Sequence, residues 1–315
     1  MPFFSVIIPL YNKENYVENA LKSILKQSFT DYEIIIVNDC STDNSVSIIE
    51  SYLHENVRLI HHEKNKGLSA ARNTGVKNAK ADYVTYLDAD DLWKPTFLTT
   101  IHRLILNFPE AKIYGTNYEE VYRTQLLKPI NGSEELDDNF EGILNFFKIN
   151  LKQGIYNHGS VCFHKDVFEK VGYYNEQITF SEDIDFNIRA NYYFKLAYSN
   201  SVQMSYFMET DNQITRSLIV NLQVPNYDKY EDWAKLNPDL KKQLDFLRYV
   251  LAKNLKKNGD KILWKKIVKP IYFKNLNWKQ IALLYVPKCV LLLLEKVKLK
   301  LIKKGIKIAS YSNNS

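Results

Sequence analysis

Residues 83–91 have the sequence YVTYLDADD, in which a short apolar run is followed at once by three carboxylates. The runs at 3–9 (FFSVIIP), 32–38 (YEIIIVN) and 57–61 (VRLIH) have the same strand-like length. Between these runs apolar residues recur at helical spacing, and residues 68–79 are one such segment. Strands that alternate with helices in this way predict right-handed βαβ crossovers and a mainly parallel sheet, an α/β fold.

Polar residues follow each of the four predicted strands. They are Tyr11-Asn12, Asp39, His61-His62 and Asp88-Ala89-Asp90-Asp91. Asn, Asp and Ser also form turns and helix caps, so each cluster alone has a purely structural explanation. Ligands of parallel sheets bind beyond the carboxyl ends of the strands, and four clusters in register therefore favour one shared site.

Asp88 and Asp90 are two residues apart, which places both side chains on one side of an extended segment. Their oxygens suit a hard divalent cation, Mg²⁺ or Mn²⁺, that would neutralise a diphosphate leaving group. The alternative is that they cap a helix beginning near Pro95. Their position directly after a predicted strand favours the cation site.

Four further residues are candidates for catalysis or binding. The Arg72 guanidinium would clamp a phosphate or form a surface ion pair. Glu182 and Asp183 offer a carboxylate that would deprotonate an incoming hydroxyl as general base, or that would complement a helix N-terminus. His158 is a candidate for the acceptor side or a metal, although a core or solvated histidine is the more common role.

The order and spacing of these elements resemble the family-2 glycosyltransferases, which have the GT-A fold. The segments that carry the resemblance are VIIPLYN (6–12), EIIIVNDCSTD (33–43), NKGLSAARN (65–73), YLDADD (86–91) and SED (181–183). The resemblance extends over residues 3–212. It implies an inverting, metal-dependent transfer of one sugar from a nucleotide-diphosphate donor, with uridine the favoured base and Mn²⁺ or Mg²⁺ the cofactor.

The resemblance also implies which residues bind the nucleotide. Pro9 and Tyr11 would lie along the base, and Asp39 would hydrogen-bond it. Lys66 and Arg72 would lie near the nucleotide and its phosphates.

The remaining matching residues would act at the sugar. Asp88 would approach the ribose or the sugar, and Asp90 would be the main metal contact. Asp183 would be the base, with Glu182 as its neighbour in the catalytic pair.

One element of the processive synthases is missing. Their Gln-x-x-Arg-Trp motif would fall at Gln213, but Arg216 is followed by Ser217. The sequence also has no apolar stretch long enough for a membrane span. These departures favour a single-sugar transferase with a glycan or lipid-linked acceptor, in bacterial cell-surface polysaccharide synthesis.

Charge divides the chain of 315 residues unevenly. From Lys241 onward there are 19 Lys and Arg residues against three acids, a net charge of +16, while the preceding part carries −10. We therefore predict a GT-A catalytic domain at 1–224 (nucleotide half 1–108, acceptor-side half 109–224) and a basic helical region at 225–315.

The basic region predicts an anionic partner. Residues 281–308 combine short apolar runs with lysines, which is typical of a helix lying on an anionic membrane. The alternatives are packing on the catalytic domain or a homodimer contact. Nucleic acid is disfavoured because no recognition motif accompanies the charge. We expect a cytoplasmic protein, peripheral on the inner face of the plasma membrane.

Cysteine usage and the N-terminus agree with that location. Cys40, Cys162 and Cys289 form no paired framework, which favours a reducing compartment. The first residues lack the basic segment of a signal peptide.

Two other functions stay open. One is a nucleotidyltransferase, which is disfavoured because the glycine-rich basic loop near residue 10 is missing. The other is a non-catalytic membrane-surface protein with a degenerate transferase fold.

Overall fold

The computed structural model describes residues 1–122, 125–211 and 223–302. Its first four strands are β1 (Phe4–Leu10), β2 (Tyr32–Asn38), β3 (Val57–His61) and β4 (Tyr83–Tyr86). They pair in parallel in the order β3-β2-β1-β4. The four predicted strands are thereby confirmed to within one residue at each end.

Four helices cross between or follow these strands: α1 (Val17–Leu25), α2 (Ser45–Glu50), α3 (Leu68–Lys77) and α4 (Phe97–Asn107). Helix α3 approaches β1 closely because it carries a glycine at position 75. A Cβ atom at Gly75 would lie 2.4 Å from Cγ2 of Ile7, well inside contact distance. The close approach brings Arg72, one turn earlier, to the carboxyl edge of the sheet.

The second half of the sheet is mixed. Its strands are β5 (Leu92–Trp93), β6 (Ile113–Tyr122), β7 (Gln125–Leu127), β8 (Glu141–Leu144), β9 (Val161–His164) and β10 (Leu196–Phe207). Strand β9 lies antiparallel between β4 and β6, and β10 is parallel to β6. The parallel prediction thus describes β1 to β4, and antiparallel pairs enter where β9 lies beside β4 and where β5 lies beside β10.

Alternation along β1 divides its side chains between two cores, because successive residues of a strand face opposite sides. Val6 and Ile8 are buried among α1 and α4. Ile7 is buried on the other side, in a core that includes residues of the C-terminal helices such as Leu244 and Leu251. Both faces of the sheet are therefore covered, as a parallel sheet requires.

Three helices connect the later strands. Helix α5 (Phe146–Ile149) lies between β8 and β9 in the chain, and α6 (Lys165–Val171) and α7 (Glu182–Tyr193) lie between β9 and β10. The C-terminal helices are α8 (Glu231–Leu236), α9 (Pro238–Asn258), α10 (Lys261–Val268), α11 (Trp278–Tyr285) and α12 (Lys288–Ile302). Helix α9 begins with the Asn237 side chain accepting the Leu240 N–H and ends at Gly259, whose φ is +87°. Across the three described segments, no helix combines the length and the apolarity needed to cross a bilayer.

A buried carboxylate ties α7 to the C-terminal helices. Asp185 is fully buried. Its Oδ1 accepts a hydrogen bond from the Tyr230 hydroxyl at 2.7 Å and pairs with Lys229 at 2.6 Å. Its Oδ2 accepts from Arg189 at 3.1 Å. Because α7 begins with Glu182 and Asp183, this network fixes the orientation of both.

Candidate active site

The loops at the carboxyl ends of the parallel strands open into one cavity of about 1030 Å³. Eight of the nine residues to which the family resemblance assigns a role line it: Pro9, Tyr11, Asp39, Arg72, Asp88, Asp90, Glu182 and Asp183. Lys66 does not line it, and its side chain is exposed. Residues from α9 and α12 form the opposite wall.

The loops after β1 and β2 are joined by hydrogen bonds. Asn12 has a left-handed backbone with φ of +50°. Its side-chain oxygen accepts the Thr42 N–H at 2.8 Å, and its own N–H donates to Ser41 Oγ at 3.1 Å. Tyr11 remains 44% exposed at the cavity edge, where its ring is available to a planar ligand.

Asp39 organises the loop before α3. Its Oδ1 accepts from the Lys66 N–H at 2.8 Å and lies 2.7 Å from His62 Nδ1, and its Oδ2 accepts from the Gly67 N–H at 2.7 Å. Gly67 has a φ of +88°, which a side chain would strain. Because each carboxylate oxygen has two acceptor positions, Oδ2 retains one for a ligand.

Arg72 connects two parts of the site that are far apart in sequence. Its Nη1 donates to Glu182 Oε1 at 2.7 Å, and its Nη2 lies 3.2 Å from Asp88 Oδ1. The side chain is buried and lies 5.8 Å from the centre of the Tyr174 ring. Arg72 therefore holds the carboxylates of Glu182 and Asp88 in position, and it also lines the cavity.

Asp90 has two partners that the sequence analysis missed. Its Oδ2 accepts from Lys13 Nζ at 2.7 Å and from Thr210 Oγ1 at 2.5 Å. Lys13 also donates to the Asp211 carbonyl at 2.7 Å. The Lys13–Asp90 pair spans 77 residues. Lys13 follows the Tyr11-Asn12 cluster directly, which is the only local signal of its position.

Asp91 is a buried structural residue of the site. Its Oδ1 accepts the Phe207 N–H at 3.0 Å, which ties the end of β10 to the carboxylate cluster. Burial raises the pKa of Asp91 well above the ordinary range, and the charges of Asp90 and Asp88 act in the same direction. The raised pKa favours the neutral carboxyl of Asp91, which reduces repulsion within the cluster.

Glu182 and Asp183 begin α7 after Ser181, whose φ is +63°. Burial raises the pKa of Glu182 to about 6 against the opposing charge of Arg72, and it also raises the pKa of Asp183. One oxygen of Glu182 is held by Arg72, while Asp183 accepts only the Ile184 N–H within the described residues. Asp183 is therefore the freer of the two carboxylates.

His158 lies on the cavity wall as a buried neutral residue. Its Nε2 is 2.8 Å from the Tyr174 hydroxyl, and its ring packs against Tyr86 with 4.7 Å between centres. Burial lowers its pKa well below the ordinary value, with the Arg72 charge acting in the same sense. Its position corresponds to a core histidine that borders the site.

Residues 213–217, which carry the altered Gln-x-x-Arg motif, lie outside the described residues.

The fold and the carboxylates at its strand ends define a GT-A transferase scaffold. The crystal structure of Staphylococcus aureus TarS 1–349 in complex with UDP-GlcNAc matches with a TM-score of 0.63 at 20% identity, over 89% of this chain and 83% of that one. The model of the family described as Glycosyl transferase family 2 matches residues 5–172. The chain therefore belongs to glycosyltransferase family 2.

Several bacterial glycosyltransferases share sequence with this chain. Glycosyltransferase GlyA of Streptococcus pneumoniae is 41% identical over 115 residues, which cover 36% of this chain and 16% of that protein. The putative teichuronic acid biosynthesis glycosyltransferase TuaG of Bacillus subtilis is 42% identical over 95 residues, 30% of this chain and 38% of that protein. An uncharacterized glycosyltransferase of Rickettsia bellii is 29% identical over 302 residues, 88% of this chain and 42% of that protein. In each case the match covers less than half of the relative.

Proposed function

We propose that the protein is an inverting, metal-dependent glycosyltransferase that moves one sugar from a UDP-sugar to a hydroxyl of a cell-surface glycan or its lipid-linked precursor. The observation that carries this proposal is the single cavity that joins Asp39, Asp88 and Asp90 to the Glu182-Asp183 pair. The complexes of TarS with UDP-GlcNAc and with UDP support a uridine nucleotide as donor. The surface-glycan assignment draws on the similarity to TuaG, a putative teichuronic acid biosynthesis glycosyltransferase.

The base of the nucleotide would lie between Tyr11 and Asp39. Tyr11 offers an exposed ring at the cavity edge, and Pro9 lines the wall beside it. The unused acceptor position of Asp39 Oδ2 would take a ring N–H, because its other position is filled by Gly67. Lys66 would reach the nucleotide only by turning from solvent, whereas Arg72 already borders the cavity.

Asp88 and Asp90 fit a divalent cation. Mg²⁺ and Mn²⁺ bind one or two carboxylates together with substrate phosphates and water, and no cluster of three protein ligands is present in residues 1–122, 125–211 and 223–302. Asp90 Oδ1 accepts no hydrogen bond there, which leaves it available as a ligand. Bound in this position, the cation would neutralise charge on the diphosphate leaving group. Lys13 would give up its contact with Asp90 and turn to the phosphates.

Asp183 would act as the general base. It lines the cavity, and burial raises its pKa toward neutral pH. A general base is most effective when its pKa lies near the pH of the reaction. Removing the proton of the acceptor hydroxyl lets that oxygen attack the anomeric carbon from the side opposite the diphosphate. A single displacement of this kind inverts the anomeric configuration. Glu182, held by Arg72, would keep the start of α7 in place.

The C-terminal helices would hold the enzyme on an anionic membrane. Helix α12 buries Leu291 against the protein but exposes Leu293 (61%) and Val297 (45%), and Trp278 of α11 is 75% exposed. Lysines 288, 296 and 300 lie on the same helix and do not line the cavity. An apolar surface flanked by lysines is suited to anionic lipid. Residues 303–308 of the expected membrane segment lie outside the described residues.

The test of the proposed function is a turnover assay with a panel of UDP-, GDP- and dTDP-sugars, read as release of the nucleoside diphosphate. We expect release from one UDP-sugar in Mn²⁺ and loss of release in Asp183→Asn, with UDP affinity unchanged. Lys265→Met, an exposed charge on α10, is the matched control. Turnover that survives Asp183→Asn would contradict the assignment of the base. Failure of every donor would contradict the transferase function.

A further inference from the structure

The cavity extends beyond the catalytic pair, along the cleft between α7 and α9. Five residues of α9 line it: Gln243, Phe246, Leu247, Val250 and Lys253. Their spacing places them on one face of the helix. With a rise of about 1.5 Å per residue, that face runs for about 15 Å. We call these five residues the α9 wall.

The wall offers unpaired polar groups to a ligand. Gln243 is 1% exposed, and its Oε1 is buried with no hydrogen-bond partner among the described residues. Asn187, one turn after Asp183 in α7, also lines the cavity with an unpaired buried oxygen. An unsatisfied buried acceptor is costly, so both oxygens are suited to sugar hydroxyls.

Two lysines lie at the other end of the α9 wall. Lys253 and Lys298 both line the cavity, and neither forms an ion pair within residues 1–122, 125–211 and 223–302. The neighbouring Lys257 is different, because it pairs with Glu295 at 2.5 Å. Lys253 Nζ is 5.4 Å from the centre of the Tyr249 ring. Burial, and with it the nearby charges of Lys298 and Lys257, lowers the pKa of Lys253 to about 8 against the opposing charge of Glu295.

Two like charges that share a cavity destabilise each other, and Glu295, which offsets part of this repulsion at Lys253, is already paired with Lys257. We propose that this end of the cavity is an anion subsite in which Lys253 and Lys298 bind a phosphate group of the acceptor. The inference rests on the proposed function, since it assigns the acceptor class for the same site. The acceptor hydroxyl would reach Asp183, its sugar would contact Gln243 and the apolar residues of the wall, and its phosphate would reach the lysines.

A phosphate could come from a soluble sugar phosphate or from a lipid diphosphate. The test is calorimetric titration of the protein saturated with UDP and Mn²⁺, using N-acetylglucosamine 1-phosphate in one arm and farnesyl diphosphate in the other. Binding in the first arm alone indicates a phosphorylated glycan, and tighter binding in the second indicates a lipid-linked acceptor. Binding in neither arm overturns the proposal.

Variants separate the subsite from general charge effects. We expect Lys253→Met to weaken binding of the phosphate probe roughly 10- to 100-fold, as for the loss of one charged hydrogen bond. Lys253→Arg should retain most of the affinity, and Lys265→Met should match the wild type. Equal weakening by Lys253→Met and Lys265→Met would overturn the proposal.

Proton uptake gives a second readout that does not depend on turnover. A lysine with a pKa near 8 is about half protonated at pH 8, so anion binding should draw in a proton. Titrations in two buffers of different ionisation enthalpy should show uptake of about half a proton in the wild type and none in Lys253→Met. No uptake in the wild type would contradict the role of Lys253. Binding of UDP is measured in the same experiments and reports on the donor site. Loss of UDP binding would contradict the proposed function, whereas loss of phosphate binding alone would contradict only the subsite.

Discussion

Replacing Arg72 by methionine should lower the free energy of unfolding, because Arg72 is the shared cation of Glu182 and Asp88. Arg72 is 2% exposed and pairs with Glu182 at 2.7 Å and with Asp88 at 3.2 Å. Methionine fills much of the same volume but carries no charge. The substitution therefore leaves two carboxylates facing each other without their shared cation.

The magnitude follows from the burial of each partner. Removing one member of a buried ion pair costs about 3–5 kcal/mol of unfolding free energy. The Glu182 side chain is 9% exposed, but that of Asp88 is 29% exposed and can be hydrated by water. We therefore expect a loss near the lower limit, about 3 kcal/mol, most of it from Glu182.

The loss should depend on pH in a defined direction. The pKa of Glu182 is already above its ordinary value of 4.5, and removing Arg72 raises it further. A carboxyl group whose folded pKa is raised destabilises the fold at pH values above its unfolded pKa and costs nothing when it is protonated in both states. Because the unfolded pKa is the same in both proteins, the difference in stability depends on the folded pKa of Glu182 in each. The destabilisation by Arg72→Met should thus be largest above the raised pKa of the variant and should shrink as the pH falls to about 6, the folded pKa of Glu182 in the wild type.

The assay is urea unfolding followed by tryptophan fluorescence, for Arg72→Met, Glu182→Gln and the double variant. Glutamine needs no cation, so the double variant should recover at least half of the loss caused by Arg72→Met. Arg72→Lys, which keeps the charge, should cost less than Arg72→Met. Additive effects of the two single substitutions, or a loss that does not vary with pH, would refute the reasoning.

Three further predictions concern the reaction, the cation and the membrane. Because a base must be deprotonated and burial raises the pKa of Asp183, kcat should fall with decreasing pH while the pH is still above 3.8, the ordinary pKa of an aspartate; a kcat that begins to fall only below 3.8 would be contrary evidence. Lys13→Met should tighten Mn²⁺ binding to the nucleotide-free protein, since Lys13 occupies Asp90 Oδ2, and unchanged Mn²⁺ affinity would count against Asp90 as ligand. Leu293→Glu should reduce co-sedimentation with phosphatidylglycerol vesicles, whereas Leu106→Glu, at an equally exposed leucine of α4, should not; equal effects of both would exclude α12 as the membrane surface.

The nucleotide half was predictable because its signals are local. Strand-length apolar runs, helical spacing and polar strand ends each depend on residues close in sequence. That is why Asp39, Asp88 and Asp90 were placed together, and the structure brings them to one cavity. The resemblance to family 2 added the Glu182-Asp183 pair, which lies about 90 residues further along the chain.

Other parts of the site depend on contacts that no local pattern encodes. Lys13 reaches Asp90 over 77 residues. The abundance of lysines from residue 241 onward predicts an anionic partner, and no local pattern distinguishes Lys253 and Lys298, which line the cavity. Lys256 and Lys257 do not line it, and this difference depends on the tertiary packing of α9 against α12.

The donor site is the centre of the proposed function, and calorimetric titration with UDP tests it most directly. The titration would be run with Mn²⁺ and with EDTA, for the wild type, Asp90→Asn and the control Lys265→Met. We predict binding in Mn²⁺ that is lost in EDTA and in Asp90→Asn and retained in Lys265→Met. UDP binding that is equally tight in EDTA, or unaffected by Asp90→Asn, would contradict a metal-assisted nucleotide site at these carboxylates.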